Sequence, residues 1–250
     1  MTKSTSSLAK LEGWLVDKYS STPYVQALAG FAVGAVSTAA GADPILAGIA
    51  GTTLILIDAG FRDMARKRQE ILFDELAKGE QYLSEEIIKK EEFIQAFILI
   101  HRGAIRTRRI EKIQRFARIL LTGIQSDNLE SDDLEEFINI LDGLSNRELK
   151  LLKLLKKWED RFPLQVTTEN HKLQYQFPKY WNDFETEAEN QLGIKATDLP
   201  AKLASTTRTG LYNTSLGPIY GLQPGQGLLT PRFSEFIRWI DNETLIENKK

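Results

Sequence analysis

In 250 residues, 42% of them hydrophobic and 26% charged, there is enough apolar surface for one large core or two modest ones, which excludes wholesale disorder. The 32 basic and 34 acidic side chains nearly cancel, so a global electrostatic pull on nucleic acid or acidic lipid is excluded and any such pull is local. With no cysteine, disulfides, thiolate catalysis and cysteine-ligated zinc are excluded too, and a reducing, cytoplasmic setting fits.

The polar start (Met1 to Ser7) leads into an amphipathic stretch with Trp14. The apolar region that follows begins too late and runs too long for a signal-peptide core, so the chain reads as mature. Between Tyr19 and Ile57 the only charged side chain is Asp43, placed in a break (Gly41, Ala42, Asp43, Pro44) between two apolar arms. This is the pattern of an apolar helical hairpin, with Asp43 as N-cap and Pro44 at the first helical position of the second arm. The first arm has the roughly 20 uncharged residues that cross a bilayer. The second, from Pro44 to Ile57, reaches only about 21 Å before Asp58. Gly30 and Gly34 in the first arm, and Gly48 and Gly51 in the second, favour close backbone packing in lipid or in a protein interior. Asp58, four residues before Arg62, reads first as a partner of that arginine and second as an acid facing the interior of an oligomer.

Past Arg62 the spacing becomes that of amphipathic helices. Ile71, Leu72 and Leu76 form one apolar stripe and Leu83, Ile87 and Ile88 the next, with Gly79 as a turn between them. A helix from about Lys90 carries Phe93, Phe97 and Ile100 and runs on into a basic stretch with Ile105, Ile110, Ile113, Phe116 and Leu120. Leu134 to Leu141 forms a short helix ended by Gly143, and Ser145 with Glu148 makes a capping box that opens a Leu-rich helix from Asn146 to Trp158. Beyond Pro163 there is one alternating, strand-like segment (Leu173, Tyr175, Phe177), then helices over Asn182–Leu192 and Thr197–Ser205. A Gly/Thr/Tyr-rich stretch to Leu222, a turn from Pro224 to Gly227 and a helix opened by Thr230 and Pro231 follow. Two extended pieces around a loop, flanked by helices, are the layout of a winged-helix module. The expected fold is therefore mainly α, in three parts: a segment over 1–62 with the apolar hairpin, a charged helical bundle over 63–144, and an α+β winged-helix-like module with its tail over 145–250.

From His101 to Arg118 seven basic side chains (Arg102, Arg106, Arg108, Arg109, Lys112, Arg115, Arg118) face a single acid, Glu111, and Arg102, Arg106 and Arg109 fall at helical spacing. The stripe of Arg102, Arg106, Arg109 and Lys112 suits phosphates or anionic headgroups. The competing and favoured reading pairs these arginines with Glu85, Glu86, Glu91, Glu92 and the acids between Asp127 and Glu136. Thr197–Ser205, as a recognition helix, brings only Lys202, with Arg208 just after it, too few cations for a DNA reader. His101 and His171 sit beside no nucleophile, the glycines Gly221, Gly225 and Gly227 follow no nucleotide fingerprint, and the acids Asp132, Asp133, Glu135 and Glu136 suit a helix start better than a metal. No catalytic residue, cofactor site or metal site is expected.

Gly41 to Ile57, Arg62 to Glu75, Glu91 to Leu121 with its arginine run, and Leu134 to Leu155 together resemble the layout of bacterial abortive-infection alpha-type phage-defence proteins. In these, a Gly/Pro-broken apolar hairpin precedes a charged helical bundle and a compact C-terminal module. The resemblance covers about two thirds of the chain and rests on residue type, so it transfers no functional residue. It implies a non-enzymatic effector or interaction protein of bacterial defence or stress, whose apolar hairpin is buried in a homo-oligomer, covered by a protein partner, or engaged with the inner membrane. The alternatives are a DNA-associated winged-helix regulator, with nucleic acid ranked below protein and membrane as a partner, and a structural subunit of a larger assembly.

Overall fold

The structure is a computed structural model that describes residues 63–163, 165–169, 172–176, 180–214 and 226–241. The apolar hairpin, with Gly30, Gly34, Asp43, Pro44, Gly48, Gly51 and Asp58, lies outside these residues, as does His171. The described residues are mainly helical and fall into two compact units, 63–134 and 135–241. The boundary lies within a helix, about ten residues ahead of the break at Gly143 to Ser145 expected to divide the chain. None of the described helices is long and apolar enough to cross a membrane.

The first unit is a small helical bundle. Helix α1 (63–77) turns its Leu72 and Leu76 inward and keeps Arg66, Lys67 and Glu70 outside. A 3-10 turn (Glu80–Tyr82) and a single helical turn, α2 (Glu85–Ile88), then lead to α3 (Glu91–Arg106) and α4 (Ile110–Gln125). Their core holds Phe93, Phe97, Ile100, Ala104, Ile113, Phe116, Leu120 and Leu121. The expected turn at Gly79 is present, and packing accounts for it: a Cβ there would lie 2.5 Å from Leu121 Cδ2. Gly103 has the same role between α3 and α4, since its missing Cβ leaves the space taken by the Phe116 ring.

The basic stretch read as one helix is two. Thr107 and Arg109 are extended, and the chain reverses between Arg106 and Ile110. The apolar phase accounts for the break. At ~100° per residue, a continuous helix would put Ile113 half a turn away from Ala104, with Arg108, Glu111 and Arg115 continuing the face of Phe97 and Ile100. Only an interrupted helix lets both apolar faces reach one core.

In the second unit, α5 (Asp132–Gly143) enters across the boundary and α6 (Asn146–Arg161) forms the centre, with α7 (Trp181–Leu192) and α8 (Leu199–Thr206) packed against it. The Ser145 capping box is formed in full: the Ser145 hydroxyl accepts from Glu148 N at 3.1 Å and Ser145 N donates to Glu148 Oε2 at 2.8 Å. The single strand expected near Leu173 is half of an antiparallel pair, β1 (Gln165–Glu169) with β2 (Lys172–Gln176), in register Gln165↔Gln176. Helix α7 stops at Gly193, whose φ of 62° is the left-handed conformation that glycine adopts without penalty.

After α8 come β3 (Tyr212–Asn213) and β4 (Leu228–Leu229), an antiparallel pair in register Tyr212↔Leu229. Gly227 fits only as glycine, because a Cβ would strike the Asn213 carbonyl. Helix α9 (Pro231–Ile240) starts at Thr230 and Pro231, as the sequence indicates. The Thr230 hydroxyl does not cap it, however, and donates to Gly210 O at 2.8 Å. The core around α6 contains Phe137, Leu141, Leu152, Leu155, Phe184, Leu203, Tyr212, Phe233 and Phe236.

Candidate functional site

The break between α3 and α4 turns the predicted stripe into a tip. Arg102 and Arg106 lie in the last turns of α3, Arg108 and Arg109 in the connection, and Lys112 in the first turn of α4. All four arginines are exposed, and Ile110 stands among them 54% exposed. Among the described residues nothing pairs with the side chains of Arg102, Arg108 or Arg109, while Arg106, Lys112 and Arg115 are engaged. Arg118, at the end of the run, is met by a carboxylate: its Nε donates to Glu75 Oε1 at 2.8 Å. That acid comes from α1, and among the described residues no acid takes up Arg102, Arg108 or Arg109.

Helix α1 fixes where the tip lies relative to the chain. The Arg68 guanidinium donates to the Ile105 carbonyl in the last turn of α3, while Gly79 at the far end of α1 meets Leu121 near the end of α4. The beginning of α1, with half-exposed Met64, is therefore at the same end of the unit as the tip.

His101 sits within the basic stretch but is not a surface group. It is 4% exposed, its ring stacks on Phe97 at 5.9 Å, and Nδ1 finds no hydrogen-bond partner among the described residues. Burial pushes its pKa down to about 4, so the ring is neutral at pH 7.

In the second unit two glutamates of α6 have opposite surroundings. Glu148, in the first turn, receives Arg208 Nη1 at 2.9 Å and Nη2 at 3.1 Å, the Ser205 hydroxyl at 2.8 Å and Ser145 N. Burial alone would raise its pKa, but these donors outweigh it and hold the carboxyl at about 2. Arg208 also donates to Gly143 O at 2.8 Å, tying the start of α6 to the end of α8. This arginine, one of the two cations counted at the candidate recognition helix, is spent inside the unit.

Glu159, near the end of α6, has a single hydrogen bond among the described residues, from Leu229 N of β4 to Oε1 at 2.9 Å. Burial raises its pKa to about 7 against that bond and the nearby Lys156. It opens onto a cleft of about 350 Å³ lined by Asp160, Phe162, Tyr180, Leu228, Ser234 and neighbouring residues. Burial and the proximity of Glu159 also raise the Tyr180 phenol, and Tyr212 is raised in the same way. Aromatic rings continue behind this wall: Trp158 stacks on Tyr180 at 5.8 Å and on Phe162 at 5.6 Å. Nothing in the run Lys156, Lys157, Trp158, Glu159, Asp160 marks Glu159 out in sequence, since its position depends on a strand 70 residues away. Among the described residues there is no group of three or more His, Asp or Glu side chains placed to hold a metal ion. No protein-family model matches the chain, and neither the curated proteins nor the solved structures contain a match.

Proposed function

We propose that this protein is a non-enzymatic effector or interaction protein that acts at an anionic membrane face, with the basic tip of the first unit as its headgroup contact. The observation that carries this reading is the tip itself: Arg102, Arg108 and Arg109 without acidic partners among the described residues, grouped around exposed Ile110. Cations beside a protruding apolar side chain suit an interface that is charged at its surface and greasy just beneath. The apolar arms from Tyr19 to Ile57 precede the start of α1, which lies at the tip's end of the unit, by only the few residues from Asp58 to Arg62. A role in bacterial defence or stress follows from the abortive-infection layout, with the arms held in a homo-oligomer or by a protein partner until they meet lipid.

Co-sedimentation of the full chain with phosphatidylglycerol-containing vesicles and with pure phosphatidylcholine vesicles, together with dye leakage, tests this reading. Binding to the anionic vesicles that weakens with salt is expected. Equal behaviour toward both kinds, or no binding to either, would contradict it.

The DNA-associated alternative reads α8, β3 and β4 as the core of a winged helix. It loses support from the engagement of Arg208 with Glu148, which leaves Lys202 as the cation of α8. Salt-dependent binding to duplex DNA that disappears on replacing Arg106 and Arg109 would restore it.

A further inference from the structure

We propose that the cleft at the C-terminal end of α6 binds a small organic cation, a protonated amine, through the Glu159 carboxylate and the rings of Tyr180 and Phe162. The first reason is the contrast between half-buried Glu159 and the fully buried carboxylates. Glu75 is met by Arg118 and Lys78, and Glu148 by Arg208. Glu159 has no cation within ion-pair distance among the described residues, because Lys156 is paired with Asp160 and Lys157 with Glu187. A carboxylate partly removed from water without a counter-charge is costly, and an external cation supplies what the described residues leave out.

The second reason is the wall. Tyr180 and Phe162 line the cleft and stack on Trp158, and the Arg161 guanidinium, 5.2 Å from the centroid of the Phe162 ring, is a cation of the chain already held by this wall. Its volume of about 350 Å³ suits a small molecule. An anion fits poorly. The ionised Glu159 repels it, Lys156 in the lining is taken up by Asp160, and the start of α9 offers little cradle, since Pro231 has no N–H and Phe233 N is taken by Thr230 O at 3.0 Å.

The groups that face Glu159 are Lys156 and Asp160 of its own helix, Tyr180 ahead of α7, and Tyr212 of β3. With the cleft empty, Glu159 keeps its proton up to about pH 7. A bound ammonium takes the proton's place, so affinity rises with pH through that range and levels off above it.

The test is titration of n-butylammonium chloride into the full chain by calorimetry at pH 6 and pH 8, with sodium butyrate as the control of opposite charge. About tenfold tighter binding at pH 8 than at pH 6 is expected, with no binding of butyrate. Glu159→Gln is expected to weaken butylammonium binding at pH 8 at least tenfold and to remove the pH dependence. Equal binding by the variant, binding of butyrate, or no heat from butylammonium at millimolar concentration would overturn the proposal. A lysine tripeptide that binds more tightly than butylammonium would overturn the small-molecule reading. Should Glu159→Gln not fold, the pH 6 to pH 8 comparison on the unmodified protein decides the matter, because binding that ignores pH contradicts a role for Glu159.

Discussion

The two ends of α6 carry the same side chain under opposite conditions. At the N-terminal end Glu148 collects a guanidinium, a hydroxyl and a backbone N–H and stays ionised down to about pH 2. At the C-terminal end, where the helix dipole also disfavours an anion, Glu159 takes one N–H and keeps its proton to about pH 7. Where this chain encloses a charge for structural purposes, it supplies the counter-charge from its own residues. The same contrast separates Arg118, paired with Glu75, from Arg102, Arg108 and Arg109, which are left open. Charges without a partner among the described residues are the basis of both proposals, the basic tip and the cleft at Glu159.

The sharpest way to break the comparison is Glu159→Gln. A carboxyl raised from 4.5 to about 7 contributes stability that is fully present below pH 4.5 and lost as pH rises to 7. The variant is expected to be more stable than the parent above pH 7 by about 3 kcal/mol and little changed at pH 4.5, as read from urea midpoints across that range. His101 provides the mirror image in the first unit. Its pKa is lowered from 6.5 to about 4, so its stabilisation is present above pH 6.5 and lost as pH falls through that window. His101→Leu is expected to remove that acid sensitivity, on the order of 3 kcal/mol at pH 4, in the same denaturation series. The two slopes oppose each other between pH 4.5 and 6.5, and the single variants separate them.

Arg208→Ala is expected to cost about 2 to 3 kcal/mol, because Glu148 and the Gly143 carbonyl lose their donor together. Arg118→Ala should behave alike through Glu75, whereas Arg108→Ala should leave the denaturation midpoint unchanged. A stability loss at Arg108 equal to that at Arg118 would erase the distinction between paired and open arginines. Gly103→Ala is expected to have the smallest effect, about 1 kcal/mol, from pressing a methyl against the Phe116 ring.

How far the sequence carries depends on the distance over which each feature is decided. The Ser145–Glu148 box, the Thr230–Pro231 helix start and the Gly79 turn are local, and residue type and spacing reveal them. The break between α3 and α4 is legible too, in the half-turn slip from Ala104 to Ile113, but the density of arginines draws the eye to a continuous basic helix. β1 escapes notice because Val166, Thr167 and Thr168 sit among polar residues and only their pairing with Leu173 to Tyr175 makes a strand. Glu159 and Arg208 are decided by contacts 70 and 60 residues distant, and to a reader of the sequence both are solvated charges.

The most direct measurement is flotation of the full chain with phosphatidylglycerol vesicles, comparing the parent protein with the combined Arg102→Ala, Arg108→Ala and Arg109→Ala variant. At about 1 kcal/mol for each basic group at an anionic surface, the variant should bind roughly a hundredfold more weakly while keeping the parent's denaturation midpoint. Undiminished binding by a folded variant would show that these three arginines do not make the membrane contact, and would contradict the reading of the tip.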